Sequence, residues 1–241
     1  MNNRAKELGM ADTNFVNCHG IDEDGHVTSA YDISIMSREL LKNHPNVINY
    51  TTIYMDTLRD GKSQLVNTNK LLRTYSGCTG LKTGSTDLAL YNLSASATRN
   101  NLSLIAVIMH APTTATRFAE AKALLDYGFS NYSAVSFGNS GDMVATVSVE
   151  KGVVNTVNAI LGSSASVIIP KGLESSVVQN LYLDDFVIAP VMQGQKVGTA
   201  TYILNNEVIA TVDIVAESSV EKSNLFSITN KLYKKWFNLI R

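Results

Sequence analysis

Lys82, Thr83 and Gly84 are the residues whose types and spacing best suit chemistry on a peptide. Lys82 supplies a positive charge and Thr83 a hydroxyl, while Gly84 lets a ligand backbone approach closely because it carries no Cβ. Ser85 and Thr86 add donors on the same stretch. A strand edge at this position could pair with an extended peptide as an added strand would. The pattern therefore predicts a strand edge that presents a cation and hydroxyl donors to an extended ligand.

Three residues alone are a weak motif, and an isolated match is usually a strand-to-turn transition with an exposed lysine. The segments that follow favour a built site. Residues 89–98 alternate as a strand does, residues 99–101 form a polar turn, and residues 102–109 have the length of a buried strand. A helix is then expected from a cap at Thr113 or Thr114 to Tyr127, with Gly128 as its stop.

The remaining N-terminal elements follow from local signals. Gly9 ends a helix over residues 1–9, and Thr28 or Ser29 caps a second helix that runs to about Lys42. Two strands are expected on either side of the turn at residues 59–62, and they cover residues 51–57 and 63–67.

The sequence changes character at about Ser136. From there, segments rich in Val, Ile and Thr alternate with Gly and Asn, which predicts a separate small all-β domain, a sandwich. Asn205 and Asn206 mark a tight hairpin turn. The predicted strands cover 143–149, 153–160, 165–169, 177–182, 186–191, 196–204 and 207–215.

The C-terminal segment 221–241 has a third pattern. Apolar and aromatic residues, Trp236 among them, recur on one helical stripe, and lysines and Arg241 supply positive charge. A basic amphipathic helix with aromatic residues is typical of binding to a membrane surface. The alternative is a helix packed on its own β-domain.

Over nearly its whole length, the chain resembles the D-alanyl-D-alanine carboxypeptidases, the low-molecular-mass penicillin-binding proteins of peptidase family S11, in the order and spacing of short sequence segments. Lys82-Thr83-Gly84 matches the Lys-Thr-Gly motif of that active site. Further similar segments lie at 1–10, 17–22, 26–32, 50–57, 111–118, 124–129, 189–190 and 194–198.

The chain departs from the family in its nucleophile motifs. Ser-x-x-Lys and Ser-x-Asn are both absent from the 81 residues before Lys82. Matches that begin at Ser140, Ser148 and Ser219 come after Lys82, in the wrong order, and are rejected. Ser148 lies in an alternating strand, whereas the catalytic pair needs a helix turn that stacks both side chains on one face. A fragment that begins at an internal methionine is the expected explanation, and it also accounts for the lack of a signal peptide.

The resemblance implies an α+β fold. A partial β-lactamase/transpeptidase-like domain, an antiparallel sheet with helices, is expected over residues 1–135. The all-β domain follows over 136–218, and an amphipathic helix, the membrane anchor, over 219–241.

The implied function is that of part of a serine-type D-Ala-D-Ala carboxypeptidase that acts on peptidoglycan stem peptides. Lys82, Thr83, Gly84, Ser85 and Thr86 are the implied substrate-binding residues. No nucleophile or general base is present, so this chain alone is expected to be inactive. The alternative is a non-catalytic module that binds or docks at the membrane.

The implied partners are the pentapeptide that ends in D-Ala-D-Ala and β-lactams, at the extracytoplasmic face of the bacterial membrane, without a cofactor. Arg117 falls where the family carries an arginine near the substrate carboxylate, a role that suits a guanidinium. A surface arginine on a helix is an equally weighted alternative.

Composition limits the other functions. The formal net charge of −1 argues against nucleic-acid binding. No apolar run is long enough to span a bilayer. Cys18 and Cys78 make no metal pattern, and two free thiols are favoured over a disulfide. His19 and His26 flank an acidic loop, but the spacing favours a solvated turn over a metal site.

Overall fold

The computed structural model of the chain describes residues 1–226, 229 and 233. The chain divides into two compact units, Met1–Ser133 and Ala134–Arg241. The helices of the first unit are α1 (Asn2–Glu7), α2 (Ala30–Asn43), α3 (Ile48–Thr51), α4 (Leu71–Thr74) and α5 (Thr114–Asn131). Its strands are β1 (Met55–Leu58), β2 (Ser63–Val66), β3 (Cys78–Thr86), β4 (Leu90–Arg99) and β5 (Leu102–Ala111).

A three-stranded antiparallel sheet, in the order β3-β4-β5, is the centre of the first unit. Asn100 and Asn101 join β4 to β5 with φ of 47° and 63°, the left-handed conformation that a tight hairpin requires. The helix α5 packs on one face of this sheet, where Phe118, Ala121 and Leu125 share a buried core with strand residues. The helix α2 contacts the sheet through β4 and β5.

The N-terminus of α2 is fixed by side-chain hydrogen bonds. Ser29 caps the helix by accepting from the backbone N–H of Asp32 at 3.2 Å. The carboxylate of Asp32, which is 1% exposed, accepts from the Asp12 N–H at 2.8 Å and the Thr13 hydroxyl at 2.6 Å. These bonds hold the preceding loop against the helix and confirm the predicted cap.

Two predicted boundaries in the first unit are wrong. The strand expected from residue 51 begins at Met55, because a 3-10 turn over Pro45–Val47 continues into α3. Proline at the first helical position favours that helical start. Gly128 lies inside α5, not at its end. A Cβ at Gly128 would come within 2.5 Å of Leu104 Cδ1, so this glycine serves the close packing of helix on sheet.

Residues 134–216 of the second unit are all-β apart from one 3-10 turn. Its strands are β6 (Tyr132–Gly138, which begins at the junction of the units), β7 (Met143–Glu150), β8 (Thr156–Leu161), β9 (Ala165–Pro170), β10 (Val178–Leu183), β11 (Phe186–Ile188), β12 (Lys196–Leu204) and β13 (Glu207–Ala216). Six of them form one sheet in the order β10-β12-β13-β8-β7-β11, and β6 pairs with β9. Tyr202 is fully buried and stacks on Phe137 with ring centroids 5.3 Å apart.

The predicted fold class, α+β followed by an all-β domain, is confirmed. The second layer of the β-domain is a two-stranded ribbon. Asn205 and Asn206 form the predicted turn between β12 and β13, with φ of 51° and 66°. The helix predicted over 219–241 does not begin at residue 219, because Val220 and Lys222 form β-bridges with Val191 and Gly152 and residues 219–224 are not helical. Most of the remaining segment lies outside the described residues. Within the described part of the chain, no helix combines the length and apolar character needed to cross a membrane.

Candidate carboxylate-binding site

The Lys-Thr-Gly motif lies on β3, at the edge of the three-stranded sheet. Lys82 pairs with Ser94, Thr83 with Leu93, and Gly84 with Asn92. In the part of the chain that the structure describes, β4 is the one strand that pairs with β3. Lys82, Gly84 and Ser85 are exposed. The motif therefore combines a free strand edge with an accessible cation.

The two polar side chains of the motif leave β3 on opposite faces, because consecutive strand residues alternate. Ser94, opposite Lys82, shares a hydrogen bond of 2.8 Å with Ser37 of α2, so the lysine is on the α2 face. Leu93, opposite Thr83, belongs to the core under α5. A ligand on the edge would therefore lie between the lysine and the threonine.

The side chains of Lys82 and Thr83 are both held by neighbours. Lys82 Nζ donates to the backbone carbonyl of Thr83. The Thr83 hydroxyl lies 2.6 Å from the Thr68 hydroxyl, and Thr83 itself is 8% exposed. Thr68 follows β2 and is exposed. Thr68 was not predicted as part of the site, since its contact with Thr83 depends on how the loop before α4 folds against β3.

Arg117 lies behind the motif and is only 6% exposed, so the alternative of a surface arginine is wrong. Its Nη1 donates to the backbone carbonyls of Gly84 and Asn92, each at 3.2 Å. The guanidinium also lies over the Tyr91 and Phe118 rings, at 5.5 and 4.9 Å. Burial lowers the pKa of this guanidinium from its usual value. Among the described residues no carboxylate is within ion-pair distance of it, and its buried Nε has no hydrogen-bond partner.

The N-terminal end of β3 is closed by α3. Thr51 donates its hydroxyl to the Thr79 carbonyl at 2.6 Å. Gly80 has φ of 140°, and a Cβ there would come within 2.8 Å of Thr51 Cβ. The accessible edge therefore begins after Gly80 and runs through the motif.

The C-terminal end of β3 is tied to an acidic loop. Thr86, expected to add a donor to the site, instead donates its hydroxyl to Asp22 at 2.6 Å and accepts from the Ala89 N–H at 3.0 Å. The second Asp22 oxygen accepts from the Leu88 N–H at 3.2 Å. A cavity of about 400 Å³ opens beside this contact, with Asp22, Glu23 and His26 in its wall. Thr86 thus fixes the turn after the motif.

The serines rejected on sequence grounds are in the second unit. Ser148 lies within the extended strand β7, and Lys151 follows the end of that strand with a φ of 56°, so the two residues lack the helical turn that stacks a catalytic pair on one face. The Ser219 hydroxyl accepts from the Gln193 N–H at 2.9 Å, and the Ser140 hydroxyl donates to the Gly162 carbonyl at 3.3 Å. None of these three serines lies on a helix.

The two cysteines are both free thiols. Cys18 is exposed, whereas Cys78 is half-buried at the start of β3, where burial raises the pKa of its thiol. In the described residues, no group of three or more His, Cys, Asp or Glu side chains is arranged to hold a metal ion.

Comparisons with known proteins find relatives for both units. Residues 1–113 match the sequence model of the D-alanyl-D-alanine carboxypeptidase family, and residues 132–222 match that of the penicillin-binding protein 5 C-terminal domain. The D-alanyl-D-alanine carboxypeptidase DacF of Bacillus subtilis is 36% identical over 240 residues, which are 98% of this chain and 61% of that protein. The chain spans about three fifths of the curated relatives it matches first.

Two solved structures are also similar. Penicillin-binding protein 5 of Haemophilus influenzae has 32% identity and a TM-score of 0.72, with 92% of this chain and 64% of that chain covered. Penicillin-binding protein D2 of Listeria monocytogenes, in its cefotaxime-bound form, has 37% identity and a TM-score of 0.50 over 53% of each chain. With the site geometry and both family matches, these likenesses show that the chain belongs to the D-alanyl-D-alanine carboxypeptidase family, peptidase family S11.

Proposed function

We propose that this chain forms the carboxylate-binding part of a serine-type D-Ala-D-Ala carboxypeptidase that acts on peptidoglycan stem peptides. The observation that carries the proposal is the free edge of β3, where Lys82, Gly84 and Ser85 are exposed beside the buried Thr83. An extended peptide can pair with this edge through its backbone. Its terminal carboxylate then meets the Lys82 ammonium and the Thr83 hydroxyl as charge-assisted partners.

The structure supports one direction for such a peptide. Thr51 occupies the start of β3, so the body of the peptide extends from the motif toward Thr86. Arg117 adds positive charge behind Gly84 without a carboxylate partner in the described residues. A substrate carboxylate would relieve the cost of that buried cation. Lys82 and Arg117 thus act on the same end of the ligand.

Catalysis in this family needs a serine that D-Ala-D-Ala acylates, a lysine that takes the serine proton, and water that releases the acyl group. Ser-x-x-Lys and Ser-x-Asn do not occur before Lys82 in the 241 residues. We therefore propose that these residues alone bind but do not turn over the substrate. Lys82 holds the carboxylate and stabilises the charge that develops during acylation.

Labelled penicillin tests this proposal, because a β-lactam traps only an activated serine. Intact mass spectrometry of the 241-residue chain should show no covalent adduct. A form of the protein that also carries Ser-x-x-Lys and Ser-x-Asn should be acylated once per chain. A stoichiometric adduct on the 241 residues would overturn the assignment and return attention to Ser148 and Ser219.

We further propose that residues 221–241 attach the protein to the extracytoplasmic face of the cell membrane. Most of the segment lies outside the described residues. Support comes from the sequence pattern and from three described side chains, Leu225, Phe226 and Tyr233, which are 83%, 79% and 60% exposed. Apolar and aromatic side chains at this exposure suit insertion at a lipid interface.

A further inference from the structure

The hydroxyl of Thr83 has one side-chain partner among the hydrogen bonds of the described residues, the hydroxyl of Thr68. The two oxygens are 2.6 Å apart, and either can be the donor. Thr68 lies 15 residues before Thr83 and belongs to the loop between β2 and α4. The orientation of the motif hydroxyl therefore depends on a residue outside the motif.

The backbone on both sides of Thr68 is fixed by asparagine side chains. Asn67 donates from Nδ2 to the Ile53 carbonyl at 3.0 Å and accepts from the Asn69 N–H at 2.9 Å. Asn69 is 1% exposed and accepts from the Leu71 N–H at 3.2 Å. Leu71 is fully buried in the core. The backbone at Thr68 is thus fixed by its neighbours. Little conformational entropy is therefore lost when the Thr68 hydroxyl forms its hydrogen bond with Thr83.

A bound carboxylate decides which threonine donates. An ionised carboxylate only accepts hydrogen bonds, so Thr83 must donate to it. The Thr83 oxygen is then free to accept, and Thr68 must donate to Thr83. Thr68 is exposed, so water can donate in turn to its oxygen. Lys82 does not compete for the Thr83 hydroxyl, because its Nζ donates to the Thr83 backbone carbonyl.

We propose that Thr68 is a positioning residue: it orients the Thr83 hydroxyl toward a ligand carboxylate and so favours a carboxylate over a carboxamide. This proposal rests on the proposed function, since it assumes that the edge of β3 receives the end of a peptide. A carboxamide does not require Thr68 to be the donor. Its NH2 group can donate to the Thr83 hydroxyl, which then donates to Thr68. The carboxylate preference is therefore the property that Thr68 controls.

The test measures binding of N-acetyl-D-Ala-D-Ala and of its C-terminal amide to the full 241-residue chain by NMR. The variants are Thr68→Val, which keeps the shape but removes the hydroxyl, and Thr68→Ser, which keeps the hydroxyl. We expect Thr68→Val to weaken carboxylate binding about fivefold and to leave amide binding within about twofold. Thr68→Ser should stay within about twofold of the wild type for both ligands. Equal losses for both ligands in Thr68→Val would mean a merely structural role and would overturn the proposal.

A second measurement does not depend on the ligand. Three-bond couplings to Thr83 Cγ2 report whether its χ1 angle has one value or an average over rotamers. One rotamer is expected in the wild type and in Thr68→Ser, and averaging in Thr68→Val. A single unchanged rotamer in Thr68→Val would overturn the positioning role.

The two proposals fail in different ways. If the wild-type chain gives no saturable shift at Thr83 and Gly84 with the carboxylate ligand, the proposed function fails and the role of Thr68 fails with it. If the wild type binds, and Thr83→Val weakens binding while Thr68→Val does not, only the role of Thr68 is refuted. A double-mutant cycle between positions 68 and 83 should show coupling for the carboxylate and none for the amide.

Discussion

Arg117 Nη1 lies 3.2 Å from the carbonyl oxygen of Gly84, so a buried guanidinium holds the motif strand from the side opposite to the one that the exposed lysine occupies. The same Nη1 donates to Asn92, the residue directly across the ladder from Gly84. One side chain of α5 thus joins the backbones of β3 and β4 at the motif. This contact makes Arg117 part of the fold as well as a source of positive charge.

Arg117→Ala should therefore destabilise the first unit. The change leaves two carbonyls without their donor and opens a void under α5, at a cost of about 3 kcal/mol in the free energy of unfolding. Urea unfolding measures the loss, and amide exchange at Gly84 and Ser85 should become faster. Glu120→Ala on the same helix removes an exposed charge and should stay within about 0.5 kcal/mol of the wild type. Equal stability of both variants would contradict the bracing role.

Lys82→Ala, in contrast to Arg117→Ala, should reduce activity and leave the stability of the fold nearly unchanged. The side chain is exposed, so the free energy of unfolding should change by no more than about 0.5 kcal/mol. In a form that carries Ser-x-x-Lys and Ser-x-Asn, hydrolysis of a D-Ala-D-Ala peptide should fall by about a hundredfold or more, because the charge stabilises the transition state. Lys62→Ala, an exposed lysine in the β1–β2 turn, is the control. Near-native turnover by Lys82→Ala would refute the assigned role.

Gly80 and Gly84 should respond differently to alanine. At Gly80, φ is 140° and a Cβ would meet Thr51 at 2.8 Å, so Gly80→Ala should cost about 2–3 kcal/mol in unfolding free energy. At Gly84 no atom lies within 4 Å of a built Cβ, so the fold should tolerate Gly84→Ala. The methyl group would instead obstruct the ligand, and penicillin acylation of a form with the nucleophile should slow. A Gly84→Ala protein that is acylated at the native rate would remove the case for close ligand approach.

Because of Tyr75, we expect the free energy of unfolding to fall at alkaline pH. It is 7% exposed and donates to Asp126 at 2.7 Å. Burial, followed by this hydrogen bond, raises the pKa of Tyr75 to about 12, whereas an unfolded tyrosine has a pKa of about 10. The folded state keeps a proton that the unfolded state releases, so the contribution is complete below pH ~10 and is lost as pH rises to ~12.

Urea unfolding at pH 9, 10, 11 and 12 measures this loss as a falling unfolding free energy. Tyr75→Phe should flatten the part of the slope that Tyr75 causes. Tyr50→Phe removes a tyrosine that is 73% exposed and should leave the slope unchanged. The same pH dependence in all three proteins would rule out the explanation.

The C-terminal segment predicts binding to anionic membranes. Trp236 is the single tryptophan of the chain, so its fluorescence reports on this segment alone. Emission should shift to the blue on addition of anionic vesicles, and salt should weaken binding because each lysine contributes about 1 kcal/mol near the surface. Deletion of 221–241 should abolish co-sedimentation with the vesicles. Emission that is already blue in buffer and does not respond to lipid would place the segment against protein.

Local signals predicted most of the fold. The β4–β5 hairpin, the Ser29 cap of α2 and the Asn205–Asn206 turn all depend on neighbouring residues, and all three are present. The end of α5 was predicted too early, because Gly128 was interpreted as a helix stop. The glycine is instead required by the close contact with Leu104 across the helix–sheet interface. The β1 boundary was misplaced because residues 51–54 are β-branched or aromatic, types that favour a strand, while Pro45 starts a helical turn before them.

The sequence predicted which residue types form the site, but not which side chains contact one another there. Lys82, Thr83 and Gly84 are consecutive, so their common strand follows from the sequence. Thr68 with Thr83, and Asp22 with Thr86, meet across 15 and 64 residues, and only the tertiary fold brings them together. The burial of Arg117 was likewise not available from its position on a helix, because arginine is common on helix surfaces.

The closure of β3 by Thr51 also bears on solubility. A long, flat and apolar sheet edge invites pairing with another chain and, with it, aggregation. In β3, α3 occupies the start, and the accessible remainder has an exposed lysine and a glycine in place of apolar side chains. Such a short edge, with charge at its centre, is a poor template for uncontrolled strand addition. The features that leave β3 accessible to a peptide therefore also disfavour pairing of β3 with β3 of another copy of the chain.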